Sequence, residues 1–127
     1  MAPRRIVLLV EDDRATRDLF DYSLRLAGFT VLAAADGLAA LHLLEQHHPD
    51  AVILDLDLPQ VSGVDVHREI MAHADTRSLS IVIVTGTEWT IPRDVFRVLR
   101  KPVTADAVVL AVEHALDAGA DRNLLRP

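Results

Sequence analysis

The chain has 127 residues, enough for one domain, and half of them are hydrophobic, so a real core can form and disorder over the whole chain is excluded. The formal net charge of −6 excludes nucleic-acid binding by bulk electrostatics, because phosphate backbones need a basic face. With no cysteine, disulfides, zinc–thiolate sites and cysteine nucleophiles are also out. Aromatics are scarce, so the core must be built from Leu, Val, Ile and Ala. Only five apolar residues, Ile6 to Val10, follow the N-terminal Met1-Ala2-Pro3-Arg4-Arg5. That run is too short for a signal-peptide core or a membrane span, and the expectation is a cytoplasmic protein with no membrane contact.

Short apolar runs alternate with amphipathic stretches along the whole chain. Ile6-Val7-Leu8-Leu9-Val10 reads as a buried strand that stops at three acids. A helix is predicted over 14–27, with Ala15, Leu19, Tyr22 and Leu26 at helical spacing and Gly28 as the stop. Residues 29–33 form a second strand. Asp36 caps a second helix running to His47, with Leu38, Leu41 and Leu44 on one face and Pro49 beyond its end. Ala51-Val52-Ile53-Leu54 is a third strand, again ending at an acid, Asp55. A loop through Pro59 and Gly63 leads to a third helix over 64–74. Residues 81–84 form a fourth strand ending at Thr85-Gly86, and 95–99 a fifth, ending before Lys101-Pro102. Thr104 caps a last helix to Ala118, with Val108, Ala111, Val112 and Ala115 on one face; 119–127 is read as a partly exposed tail. Strands separated by helices imply a parallel α/β sheet with right-handed connections. No repeat or linker divides the chain, so 1–127 is one domain with its core over 6–118.

In open α/β sheets, ligand sites lie beyond the carboxyl ends of the strands. Those ends here carry Glu11-Asp12-Asp13, Asp55 with Asp57 two residues on, Thr85, and Lys101. Neighbouring strands lie about 5 Å apart, so these side chains can converge. Gathered carboxylates repel, and a divalent cation is the simple remedy; magnesium takes oxygen ligands, often carboxylates, waters and a phosphate. A lysine and a threonine hydroxyl nearby can meet phosphoryl oxygens. The set suits phosphoryl transfer, in which the protein positions groups and neutralises charge, and a carboxylate is an accepted phosphoryl nucleophile.

The chain resembles the receiver domain of bacterial two-component response regulators. The matching pieces are Val7-Leu8-Leu9-Val10-Glu11-Asp12-Asp13, Val52-Ile53-Leu54-Asp55-Leu56-Asp57-Leu58-Pro59 with Gly63, Val84-Thr85-Gly86, and Lys101-Pro102. The resemblance runs from Ile6 to Ala118. It implies a flavodoxin-like, doubly wound five-stranded parallel sheet in the order 2-1-3-4-5, inside a three-layer sandwich. It also implies that Glu11 and Asp12 hold Mg2+, that Asp55 accepts the phosphoryl group and reaches the metal, and that Asp57 coordinates through its backbone carbonyl. Thr85 would hydrogen-bond the phosphoryl group, Lys101 would pair with Asp55 or its phosphate, Gly86 would leave room for the group, and Lys101–Pro102 would be cis. The implied partners are a sensor histidine kinase or histidine phosphotransfer protein and a downstream protein target. The implied role is a signalling switch rather than an enzyme with a separate substrate.

Two departures stand out. The segment from Thr85 to Lys101 is about half a dozen residues shorter than the family pattern, and Pro92 would break a helix there, so the family's fourth helix is expected to be short or absent, with 87–93 a loop or at most one helical turn. Val98 stands where the family often has an aromatic residue, so coupling between that residue and Thr85 is expected to be missing. The altered face leaves the oligomeric state open, with a lean to a monomer before phosphorylation. Trp89 either plugs the gap or meets a partner. Asp13 reads equally well as a helix cap. His42, His47, His48, His67, His73 and His114 read as exposed surface, and Arg4, Arg5, Arg97 and Arg100 as a solvated edge. A pseudo-receiver that only binds partners and a small metal-dependent phosphatase are the competing classes. The chain reads either as a stand-alone regulator or as one domain of a larger one.

Overall fold

The computed structural model describes residues 4–73, 75–86 and 91–124, with the backbone alone for 120–124. The elements are β1 (Ile6–Val10), α1 (Arg14–Leu26), β2 (Thr30–Ala34), α2 (Gly37–Gln46), β3 (Ala51–Asp55), α3 (Gly63–Ala72), β4 (Ser80–Thr85), β5 (Arg97–Arg100) and α4 (Ala105–Leu124). All strand pairs are parallel, and the sheet order is β2-β1-β3-β4-β5.

The continuous apolar runs become the central strands, because a strand covered on both faces has no side left for polar residues. β3 and β4 are buried at every position. Their alternate side chains feed two separate cores. Val7, Leu9, Ile53, Val82 and Val84 pack with Phe20 and Leu24 of α1 and with Val108, Ala111, Val112 and Ala115 of α4. Leu8, Val10, Val52, Leu54, Ile81 and Ile83 pack with Ala40 and Leu44 of α2 and with Val66 and Ile70 of α3. The result is three layers, α1/α4, sheet, and α2/α3.

Each helix begins on a side-chain cap. Asp13 accepts from the Thr16 N–H at 2.9 Å, Asp36 from Ala39 at 2.8 Å, Ser62 from Asp65 at 3.1 Å, and Thr104 from Ala107 at 3.1 Å. These bonds satisfy donors that the helix itself cannot. Gly28, at φ 100°, ends the first helical segment in a conformation that favours glycine.

Three details differ from expectation. The apolar stripe Ala15, Leu19, Tyr22, Leu26 faces solvent, with Leu19, Tyr22 and Leu26 53%, 64% and 71% exposed. Two apolar stripes run along α1, and the sheet takes the one carrying Phe20 and Leu24. The last helix does not stop at Ala118 but continues to Leu124. Gly119 costs a helix only about 1 kcal/mol, and no proline intervenes. His67 is buried rather than exposed, its ring Nε2 3.4 Å from the Asp94 carbonyl oxygen. Asp13 is a cap. The described residues between Thr85 and Arg97 contain no helix, as Pro92 and the short spacing imply. Trp89, with Thr87, Glu88 and Thr90, lies outside the described residues. Among the described residues no helix is long and apolar enough to cross a membrane.

Candidate functional site

The site lies where the β1, β3, β4 and β5 ladders run out. Val10 stands opposite Leu54, so the next residues, Glu11 and Asp55, emerge side by side. Ladder bonds continue one step past two strand ends, from the Glu11 N–H to the Ala34 carbonyl at 3.1 Å and from the Lys101 N–H to the Thr85 carbonyl at 2.9 Å. The first fixes Glu11 above β1; the second seats Lys101 beside Thr85. The Lys101–Pro102 bond is cis.

One carboxylate oxygen from each of Glu11, Asp12 and Asp55 lies within 4.8 Å of the others. Lys101 bridges two of them, with Nζ 2.7 Å from Glu11 Oε1 and 3.2 Å from Asp55 Oδ2. Glu11 and Asp55 are almost fully buried, at 2% and 1% exposure, whereas Asp12 faces solvent. The Asp57 N–H donates to Asp55 Oδ1 at 2.9 Å, and the Asp13 N–H to Glu11 Oε2 at 3.1 Å. Thr85 is fully buried at the end of β4. Asp57 is half-buried in the loop after β3, and the acidic cluster among the described residues does not include its side chain.

Proton affinities follow from this packing. Burial pushes the Asp55 carboxyl up to about 7; the Asp57 N–H opposes this, and the Glu11 carboxylate adds to it. Burial also works against ionised Glu11, but Lys101 and the Asp13 N–H outweigh it and hold Glu11 below the usual range. Asp12 is raised by partial burial and by Glu11. Lys101 is raised, because its two carboxylates outweigh its own burial. Without a further cation, the cluster therefore resists a second buried negative charge, which falls to Asp55. Three hard oxygen donors around a point where positive charge is favoured fit a small divalent ion such as Mg2+.

Two glycines let the loop after β3 pass close to its neighbours. A Cβ on Gly63 would collide with the Asp55 carbonyl oxygen, and one on Gly37 with the Val61 carbonyl oxygen. Gly86 is open, since a Cβ there would meet only Lys101 side-chain carbons at 3.8 Å. Sequence reasoning left Arg17 and Gly37 unmarked. Arg17 reaches back from α1 to the carbonyl oxygens of Glu11 (3.0 Å) and Asp12 (3.3 Å). A basic residue one turn into the helix behind an acidic pair was the available signal.

The geometry agrees with the comparisons to known proteins. A family model described as the response regulator receiver domain matches residues 7–113. Response regulator MprA of Mycobacterium sp. (strain KMS) is 33% identical over 121 residues, covering 95% of this chain and 44% of that protein. The chain thus spans less than half the length of that relative. The polar-differentiation response regulator DivK of Brucella ovis is 33% identical over 80 residues, 63% of this chain and 65% of that protein. Among solved structures, the signal receiver domain of a Luxo repressor protein from Vibrio parahaemolyticus superposes with a TM-score of 0.87 at 27% identity, over 98% of this chain and 99% of that one. A CheY-like receiver domain protein from Methanospirillum hungatei JF-1, at 21% identity and a TM-score of 0.84 over 94% of this chain and 99% of that one, supports the fold alone. With the family model running from β1 into α4, the chain belongs to the response regulator receiver domains of two-component systems.

Proposed function

We propose that Asp55 accepts a phosphoryl group from the phosphohistidine of a sensor histidine kinase or histidine phosphotransfer protein, with Mg2+ held by Glu11, Asp12 and Asp55 and by the Asp57 carbonyl. The observation that carries this reading is the convergence of three carboxylates, from two adjacent strand ends, on a point bridged by Lys101. The metal, when bound, neutralises charge on the phosphoryl oxygens. An Asp55 carboxylate oxygen attacks phosphorus in line, the P–N bond to the donor histidine breaks, and an aspartyl phosphate remains. Lys101 then pairs with the new phosphoryl oxygens, and the Thr85 hydroxyl donates to them. Water later hydrolyses the anhydride, so the modification is self-limiting.

The added charge draws Thr85 and Lys101 inward and biases the loops after β3 and β4, a local electrostatic event read out as a population shift. Val98 packs with Ile91 and Val95 against the α2/α3-side core. The shift therefore reaches a downstream protein target without an aromatic rotor at that position. The exposed stripe Leu19, Tyr22, Leu26 on α1, the helix that starts directly after the acidic pair, offers the phosphodonor protein an apolar landing.

The test is intact-mass measurement after incubation with Mg2+ and acetyl phosphate. A gain of one phosphoryl group, abolished in Asp55→Asn and by EDTA, is the expected result. No gain, together with no Mg2+ binding, would leave an interaction module that is not switched by phosphorylation. Repeated turnover of phosphomonoesters would instead make the site a phosphatase.

A further inference from the structure

We propose that Arg17 is a positioning residue of the acidic site, holding the β1–α1 turn so that the Glu11 and Asp12 carboxylates aim at the same point as Asp55. The proposal rests on the metal-binding reading above. It starts from hydrogen-bond accounting. β1 ends at Val10, and the first carbonyl used by the α1 ladder is that of Asp13, which accepts from the Arg17 N–H at 2.8 Å. The carbonyls of Glu11 and Asp12 fall between strand and helix, where neither ladder serves them. Arg17 answers both from one turn inside α1, its Nη1 lying 3.0 Å from the Glu11 oxygen and 3.3 Å from the Asp12 oxygen. Guanidinium is always charged and offers five donors in a rigid fork, so it suits two acceptors on successive residues.

The other restraints on this turn act on different atoms. The Glu11 N–H is tied to Ala34, the Asp13 N–H to Glu11 Oε2, and the Asp13 carboxylate to Thr16. Of these, the Asp13 N–H shares a peptide plane with the Asp12 carbonyl, but none holds the plane of the Glu11 carbonyl, which Arg17 meets at the shorter distance, 3.0 Å. Those planes set how the two acidic side chains leave the backbone. Arg17 bonds to main-chain oxygens of the turn rather than to a carboxylate of the cluster, so its action on a cation would pass through geometry.

Charge and geometry predict opposite signs, which makes the idea decidable. If Arg17 acted only as a nearby positive charge, removing it would tighten Mg2+ binding. If it positions the acids, removing it weakens binding, by about tenfold, as the loss of an outer partner of metal ligands typically does. Mg2+ titrations followed by the amide signals of Asp12, Asp13 and Asp55 read the affinity, and thermal melts without metal read stability. Arg17→Met is expected to bind Mg2+ about tenfold more weakly, and Arg17→Lys, which keeps a donor and the charge, to recover part of the loss. Arg14→Met is the control, because Arg14 is exposed on the same turn and pairs only loosely with Asp18 at 3.8 Å. It should leave the affinity unchanged or slightly tighter. Tighter or unchanged binding in Arg17→Met, with or without a lower melting temperature, overturns the proposal. Wild-type protein that fails to bind Mg2+ saturably, or that binds no better than Asp55→Asn, overturns the metal-binding reading itself.

Discussion

Replacing Asp55 by Asn should stabilise the metal-free protein above neutral pH. Asp55 is 1% exposed, and burial, helped by Glu11 and opposed by the Asp57 N–H, moves its carboxyl from 3.8 to about 7. That is roughly a thousandfold change in proton affinity, or about 4 kcal/mol at about 1.4 kcal/mol per tenfold. The attraction to Lys101 at 3.2 Å is already contained in that shift, and some of the energy is returned because an amide cannot match the carboxyl in every hydrogen bond. A net gain of about 1–3 kcal/mol remains. The raised pKa means that the fold favours the neutral carboxyl. Its contribution is fully present below about pH 4 and is lost as pH rises through about 7. Asparagine stays neutral throughout, so the difference between variant and wild type should be small near about pH 4 and complete by about pH 8. Urea unfolding in EDTA across this range measures it. With saturating Mg2+ the advantage should shrink or reverse, since binding free energy accrues to the wild type. A variant less stable than wild type at high pH without metal, or a difference that ignores pH, would refute the reasoning from burial.

Lys101→Met leaves Glu11 and Asp55 facing each other without a cation. It should cost about 1–3 kcal/mol at about pH 8, less than a fully buried pair because Lys101 keeps some contact with water, and the loss should recede as the solution is acidified. Gly63→Ala forces a methyl group into the Asp55 carbonyl and should cost about 2 kcal/mol or more in a denaturant melt, whereas Gly86→Ala should stay within about 0.5 kcal/mol. A Leu19→Ser/Tyr22→Ser double variant should change stability by less than about 1 kcal/mol, against about 2–5 for Leu24→Ala. The same double variant should slow phosphoryl transfer from a histidine kinase while leaving transfer from acetyl phosphate intact. Equal slowing with both donors would show that α1 does not carry the donor's contact.

The order of elements was legible because β3 and β4 are unbroken apolar runs, and only a sheet covered on both sides requires that. The acidic cluster was legible for a related reason: β1 and β3 each run until their first charge appears, and parallel registry then aligns those two ends. Burial of individual helix faces was harder to read. On α1 the periods of Leu19–Tyr22–Leu26 and Phe20–Leu24 are both helical, and the choice depends on which fills the space over β1 and β2. His67 looked like a surface residue because its burial depends on the loop around Asp94, which is remote in sequence. Arg17 escaped notice because its role lies in contacts with main-chain oxygens, which no residue type announces. The length of α4 was underestimated because Gly119 reads as a stop, although a glycine inside a long helix is tolerated.

Lys101 already occupies, with its ammonium, part of the space between Glu11 and Asp55. Any ion entering from solution has to compete with this tethered tenant. A sodium or potassium ion brings no more charge than the ammonium and must also shed water, so it has little to offer the acids. On the proposed reading a doubly charged ion would offer more, and the lysine would then be released to meet an arriving anion. On the proposed metal-binding reading, an amine built into the chain would serve as a threshold that favours a doubly charged ion over monovalent salt at these acids.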